Sequence, residues 1–202
     1  SSIIKRAGRA FVACRRAPSS LASGYYNMDF SLNTEQQILQ STARKFAADI
    51  LPSEARMIED NDIPPSQGLR KQFAEMGFLG INLPTRYGGA GLGHFEAVLV
   101  LEELAKISIA AAFPVFEASF GPSLAIAYLA PEELRQRILP SVCSGDIVVA
   151  VSMSEPQAGT ALTDLKTTAQ LAGDKIILNG NKRWCSGAGH ADAYVVYCRM
   201  SD

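Results

Sequence analysis

The spacing of apolar positions changes once along the chain. From Asn33 to about Ser144 they recur every three to four residues, the spacing of helices that bury one stripe. From Gly145 onward they fall in short β-branched runs divided by Gly, Asn and Asp, as in strands joined by tight turns. In the first part, Thr34 and Gln37 offer a capping box ahead of a stripe of Ile38, Leu39, Ala43, Phe46, Ala47 and Ile50, which Pro52 is expected to stop. Met57 and Ile58 predict a shorter helix. Pro65 suits the first turn of the next, which continues through Leu69 and Phe73 to a cap at Gly77. Phe95 to Ala105 reads as a strongly apolar helix. Ile107 to Ala130 is apolar enough to raise the question of a membrane, but Pro114, Glu117 and Gly121-Pro122 interrupt it, whereas a spanning helix needs about 20 unbroken apolar residues. Buried helices of a bundle account for it better. A last helix opens at Pro131-Glu132-Glu133 and runs to Leu139-Pro140.

In the second part, Ile147–Val151, Thr167–Leu171, Lys175–Leu178 and Tyr194–Cys198 read as strands. A Gly173-Asp174 turn and then Asn179-Gly180 join them into an antiparallel unit. The first strand feeds Ser154-Glu155-Pro156-Gln157-Ala158-Gly159-Thr160, and a second segment, Asn179-Gly180-Asn181-Lys182-Arg183-Trp184-Cys185-Ser186, lies downstream. Together they offer hydroxyls at 154, 160 and 186, an approachable backbone at Gly159, and the chain's single tryptophan, parts that suit a flat ligand with a polar edge. Taken bare, Trp184 reads as a core residue and the Ser, Thr and Gly as turn chemistry.

These two segments resemble the acyl-CoA dehydrogenase family, whose pattern is Thr/Ser-Glu-Pro-x-Ala-Gly-Ser/Thr followed by Gly-Asp-x-x-x-Leu-Asn-Gly-x-Lys-x-Trp-Ile-Thr/Ser. Here Ser154 to Thr160 and Gly173 to Ser186 match in the correct order. The resemblance covers nearly all of residues 28–202 and implies FAD as cofactor. The backbone and hydroxyl at Met153 and Ser154 would meet the pyrimidine edge, Trp184 would pack on the isoalloxazine, and Ser186 would face N5. Val151, Gly159 and Cys185 belong to the same implied flavin-contacting set. Thr160 would touch both cofactor and the thioester arm of the acyl-CoA. Three positions depart from the pattern: Ala161 stands where Asp is usual, with Asp164 the nearest acid, Cys185 replaces Ile, and Gln157 stands where Gly is frequent.

Leu83 to Gly93 is dense in glycine, yet it fits neither Gly-x-Gly-x-x-Gly nor Gly-Lys-Ser/Thr, so it is no phosphate cradle. It reads as a tight surface turn between helices. In the resembled family, Pro-x-x-Tyr-Gly-Gly-x-Gly recurs as a loop near the acyl pocket.

Nearly half the 202 residues are apolar, enough for a real core. The net charge is −1, but Lys5, Arg6, Arg9, Arg15 and Arg16 precede the first acid, so without those five cations the rest carries −6. That field disfavours nucleic acid. Residues 1–27 are basic, acid-free and rich in Ser and Ala, which is the composition of a mitochondrial transit peptide; otherwise Met28 is the true start and the leader is read-through. The location is then the mitochondrial matrix in the first case and the cytoplasm in the second. Cys14, Cys143, Cys185 and Cys198 form no Cys-x-x-Cys pair, Cys143 and Cys198 read as small buried apolar groups, and two histidines without clustered acids disfavour a metal.

The fold expected is α+β multidomain: an all-α bundle over 28–144, then an antiparallel β domain from 145 that reaches 202 only in part. In the resembled family a four-helix C-terminal domain follows, with the catalytic carboxylate and the tetramer interface. The implied reaction is α,β-dehydrogenation of an acyl-CoA thioester, with an electron-transferring flavoprotein as acceptor and a homotetramer or dimer as the assembly. No acid within 1–202 is assigned as the base, and Glu155 reads as structural. Acyl-CoA oxidases, enoyl-CoA reductases and flavin monooxygenases share the framework, and an inactive assembly protein is a further alternative that Ala161 favours.

Overall fold

The computed structural model of the chain describes residues 30–200. Residues 1–27, with their transit-like composition, and Cys14 among them lie outside the described residues.

Helix α1 (Thr34–Asn61) begins one residue earlier than the capping-box reading. Asn33 caps it, accepting from the Gln36 amide while the Gln36 side chain accepts from the Asn33 amide. It does not stop at Pro52, which lies inside it. A proline in a helix interior costs roughly 3 kcal/mol. Leu51, Ala55 and Ile58 extend the buried stripe of Ala43 and Ala47 past it, and burying a Leu and an Ile contributes about 1.5–3 kcal/mol each, which offsets the break. The separate short helix expected around Met57 is therefore the end of α1. Ile38, assigned to the stripe, is largely exposed.

Helix α2 (Gln67–Glu75) is capped by the Ser66 hydroxyl, with Gly77 in the left-handed region just beyond it. Helix α3 (His94–Ala105) lies against α1. Buried Glu103 accepts both arms of Arg44 from α1, at 3.0 and 3.1 Å, together with Lys106 at 2.9 Å. Phe46, Phe73 and Phe78 pack ring to ring between α1, α2 and the segment that follows.

That segment is the expected surface turn, and here the structure differs. Phe78, Leu79, Ile81, Leu83 and Tyr87 are buried in the core. The glycines let the loop close its own backbone bonds, Leu83 N–H to the Gly80 carbonyl and Leu92 N–H to the Ile81 carbonyl, both 2.9 Å, so that it can leave water. A Cβ on Gly89 would strike the Gly80 and Leu83 carbonyls. Tyr87 donates its hydroxyl to Glu132 at 2.8 Å, at the start of α6 (Glu132–Cys143).

The apolar run divides into α4 (Ile109–Ser119) and α5 (Pro122–Leu129), broken at Phe120-Gly121. By length and composition alone, Ile109–Leu129 could cross a membrane, yet half of that stretch is buried inside this fold. Both helices contact β1 (Val149–Ser152). Gly145, at φ 73°, turns the chain toward β1, pressed so closely on the Arg70 backbone that a Cβ would collide with it.

The helical part followed by a β region is as expected, but the strand directions are not all antiparallel. Strand β2 (Thr168–Ala172) and β3 (Lys175–Asn179) form the expected hairpin across Gly173-Asp174. By contrast β1 pairs in parallel with β4 (Ala193–Val196), and β2 in parallel with β5 (Arg199–Met200). Parallel pairing needs a long crossover, and residues 153–192 supply it. Asn179-Gly180 is thus no hairpin turn. A Cβ on Gly180 would run into Thr167, so the glycine serves close approach.

Candidate functional site

The crossover from β1 to β4 carries both motif segments, and Glu155 ties them together. Antiparallel bonds between Glu155 and Ala158, 2.8 and 3.1 Å, close the Ser-Glu-Pro loop. The buried Glu155 carboxylate then accepts from the Lys166 and Thr167 amides at 2.7 and 2.9 Å, from Lys182 at 2.9 Å and from the Gln157 side chain at 2.6 Å. Lys182 also donates to the Met153 carbonyl at 3.0 Å. Burial alone would push the Glu155 carboxyl up, but the donors from Thr167, Lys166 and Lys182 outweigh it and hold the carboxyl far below the usual range. An acid so engaged organises the loop and has no free lone pair for a substrate proton.

Through that clamp the Arg183 N–H meets the Ser154 carbonyl at 2.8 Å, bringing Met153 and Ser154 beside Trp184. Trp184 is not the core residue that its bare chemistry suggests. The residue is 81% exposed, its backbone is left-handed at φ 60°, and among the described residues only the Arg183 guanidinium lies over the ring, at 5.0 Å. Ser186 and Thr160 are exposed, Ser154 is half-buried, and their hydroxyls make no hydrogen bond among the described residues. Gly159 is exposed with open space where a Cβ would stand. Val151 and Cys185 are half-buried, Val151 within β1 opposite Val195. The short helical turn Leu162–Asp164 follows Ala161, and the Asp164 amide bonds the Ala161 carbonyl at 3.0 Å. Cys143 is buried as expected, its thiol pushed up to about 11 by burial, whereas Cys198 is half-buried.

A cavity of about 90 Å³ opens between α4 and the segment after Trp184, lined by Phe113, Pro114 and Glu117 on one side and Ser186 and His190 on the other. In the sequence Glu117 serves only as an argument against a membrane span. It is the one charged residue between Ile107 and Ala130, the signal that could have marked it as buried.

Residues 33–146 match the family model for the N-terminal domain of acyl-CoA dehydrogenases, and residues 150–202 match that for the middle domain. The chain belongs to the acyl-CoA dehydrogenase family. As a member of this family it is 37% identical over 169 residues to mitochondrial isovaleryl-CoA dehydrogenase of Bos taurus, a match covering 83% of this chain and 40% of that protein. Its fold is similar to glutaryl-CoA dehydrogenase of Mycobacterium smegmatis in complex with FADH2, with a TM-score of 0.78, 25% identity, and 85% of this chain and 44% of that one covered. It is similar also to a glutaryl-CoA dehydrogenase bound to glutaryl-CoA, with a TM-score of 0.79, 31% identity, and 85% and 44% covered. The acyl-CoA dehydrogenase chain described here thus spans less than half the length of these relatives.

Proposed function

We propose that this chain contributes the acyl-binding and flavin-edge halves of a full-length, FAD-dependent enzyme that oxidises an acyl-CoA thioester between its α and β carbons. One observation carries the reading: an exposed indole on a left-handed residue, next in the chain to Arg183, whose N–H is bonded to the Ser154 carbonyl beside the buried Glu155–Lys182 clamp, with the hydroxyl of Ser186 two residues on. A surface indole with no protein partner beyond Arg183 among the described residues fits a flat heteroaromatic ring, and hydroxyls without protein partners there fit its polar edge.

FAD held there supplies a two-electron acceptor for the hydride that leaves the β-carbon. With FAD bound, Trp184 would cover the ring face and exclude water, Ser154 and the Met153 backbone would hold the ring edge, Ser186 would offer its hydroxyl to the reacting edge, and Thr160 would meet the thioester arm. Val151, Gly159 and Cys185 shape the surrounding wall. We assign no acid within residues 1–202 as the base that removes the α-proton, and Glu155, engaged by four donors, is structural. We read the boundary between helical and flavin-binding domains at 144–145, the electron acceptor as an electron-transferring flavoprotein, the assembly as a homotetramer or dimer, and the location as the mitochondrial matrix with residues 1–27 as transit peptide. The test is anaerobic spectroscopy on the full-length protein. A bound yellow flavin that bleaches on adding an acyl-CoA is the expected result, and a colourless protein or a flavin inert to acyl-CoA thioesters overturns it.

A further inference from the structure

Glu117 sits in α4 among apolar neighbours, nine-tenths buried, with no hydrogen bond or ion pair among the described residues. Its carboxyl lines the 90 Å³ cavity that also receives Ser186. It lines a smaller void of about 20 Å³ as well, with Ser123, whose fully buried hydroxyl has no partner among the described residues. Neither the clamp nor the flavin edge uses this acid. A buried carboxyl that lines a cavity without an ion pair among the described residues is costly when ionised, and once ionised it repels a second anion placed beside it.

The charged and titratable groups around it are few. From α2, the cation Arg70 lines both cavities; it donates to the Pro65 carbonyl at 3.0 Å and the Gly145 carbonyl at 3.4 Å and makes no ion pair with Glu117. From the segment after Trp184, His190 lines the larger cavity. The linings contributed by β1, α5 and α6 carry no ionisable side chain.

We propose that the Glu117 carboxyl forms the inner wall of the acyl cavity and makes it selective for acyl groups with neutral tails, which bind over the protonated acid, against acyl groups that end in an anion. The inference rests on the acyl-CoA reading above and names its substrate class. Burial alone raises this carboxyl to about 7, so the acid is neutral below that pH and charged above it. A neutral tail that covers the carboxyl keeps it protonated, so binding takes up a proton above pH 7 and weakens as the pH rises.

The experiment uses the full-length flavoprotein and follows perturbation of the flavin spectrum by isovaleryl-CoA and by glutaryl-CoA between pH 6 and 8.5. Expected is a dissociation constant for isovaleryl-CoA that climbs by up to about tenfold per pH unit above 7, and glutaryl-CoA binding at least about tenfold weaker at the upper end of that range, with the gap narrowing below pH 7 as the acid becomes neutral. Glu117→Gln should flatten the profile and narrow the gap between the two thioesters. Glu117→Leu should flatten it while keeping isovaleryl-CoA binding, and His190→Gln should leave it in place. Equal binding of both thioesters, or an unchanged profile in Glu117→Gln, overturns the inference while the acyl-CoA reading stands. A flavin that answers neither thioester overturns both.

Discussion

Trp184 separates fold from cofactor. The residue is 81% exposed, so truncation to alanine removes little buried area, and the pairing of the indole with the Arg183 guanidinium that goes with it is worth about 0.5–1 kcal/mol. Its φ of 60° is a conformation in which a side chain costs roughly 1–2 kcal/mol relative to glycine. Trp184→Ala should therefore shift the urea midpoint only slightly, and Trp184→Gly should melt at the wild-type midpoint or above it. Phe73→Ala, which empties a fully buried site against the Phe46 ring, should cost about 3–5 kcal/mol. The order reverses for FAD. A stacked indole contributes on the order of 1–3 kcal/mol to the full-length protein, so both Trp184 variants should bind FAD about 10- to 100-fold more weakly, read from flavin fluorescence on titration. If Trp184→Ala melts like a core variant and binds FAD as the wild type does, the indole is structural and the flavin site lies elsewhere.

Ser186→Ala should retain most of the flavin, since one hydrogen bond is worth about 1 kcal/mol, but slow its reduction in stopped flow; unchanged reduction removes Ser186 from the site. Lys182→Met leaves the Glu155 carboxylate buried without its cation and should unfold the motif loop in amide exchange, whereas Lys182→Met with Glu155→Gln should recover part of that protection. Because Glu155 is held below the ordinary carboxylate range, its contribution is present above the unfolded value and is lost as the pH falls toward the folded one, so Glu155→Gln should flatten the acid limb of the stability curve. Glu117, raised from 4.5 to about 7, acts with the opposite sign: stability should fall by about 3 kcal/mol as the pH rises across that interval, and Glu117→Gln should abolish the fall. Gly89→Ala should destabilise severely by forcing the buried loop off the Gly80 and Leu83 carbonyls; a wild-type melting temperature would show that the loop can yield.

Local chemistry is enough to read the helical stripes, the caps near Asn33 and Gly77, the Gly173-Asp174 hairpin and the two linked motif segments, because each depends on residues a few positions apart. What depends on distant partners is not legible. Pro52 breaks a helix in isolation, and only burial of Leu51, Ala55 and Ile58 carries α1 through it. The glycine-rich segment looks like surface until Phe78, Ile81 and Tyr87 find a core to enter. The direction of β4 beside β1 is set by a crossover whose path no local turn announces. Within the site, the motif locates Glu155 and Trp184, but tertiary structure decides that the acid is buried under four donors and the indole faces solvent. It also turns the lone charge of an apolar run, Glu117, into a cavity wall, because burial and electrostatics are properties of what surrounds a residue rather than of the residue itself.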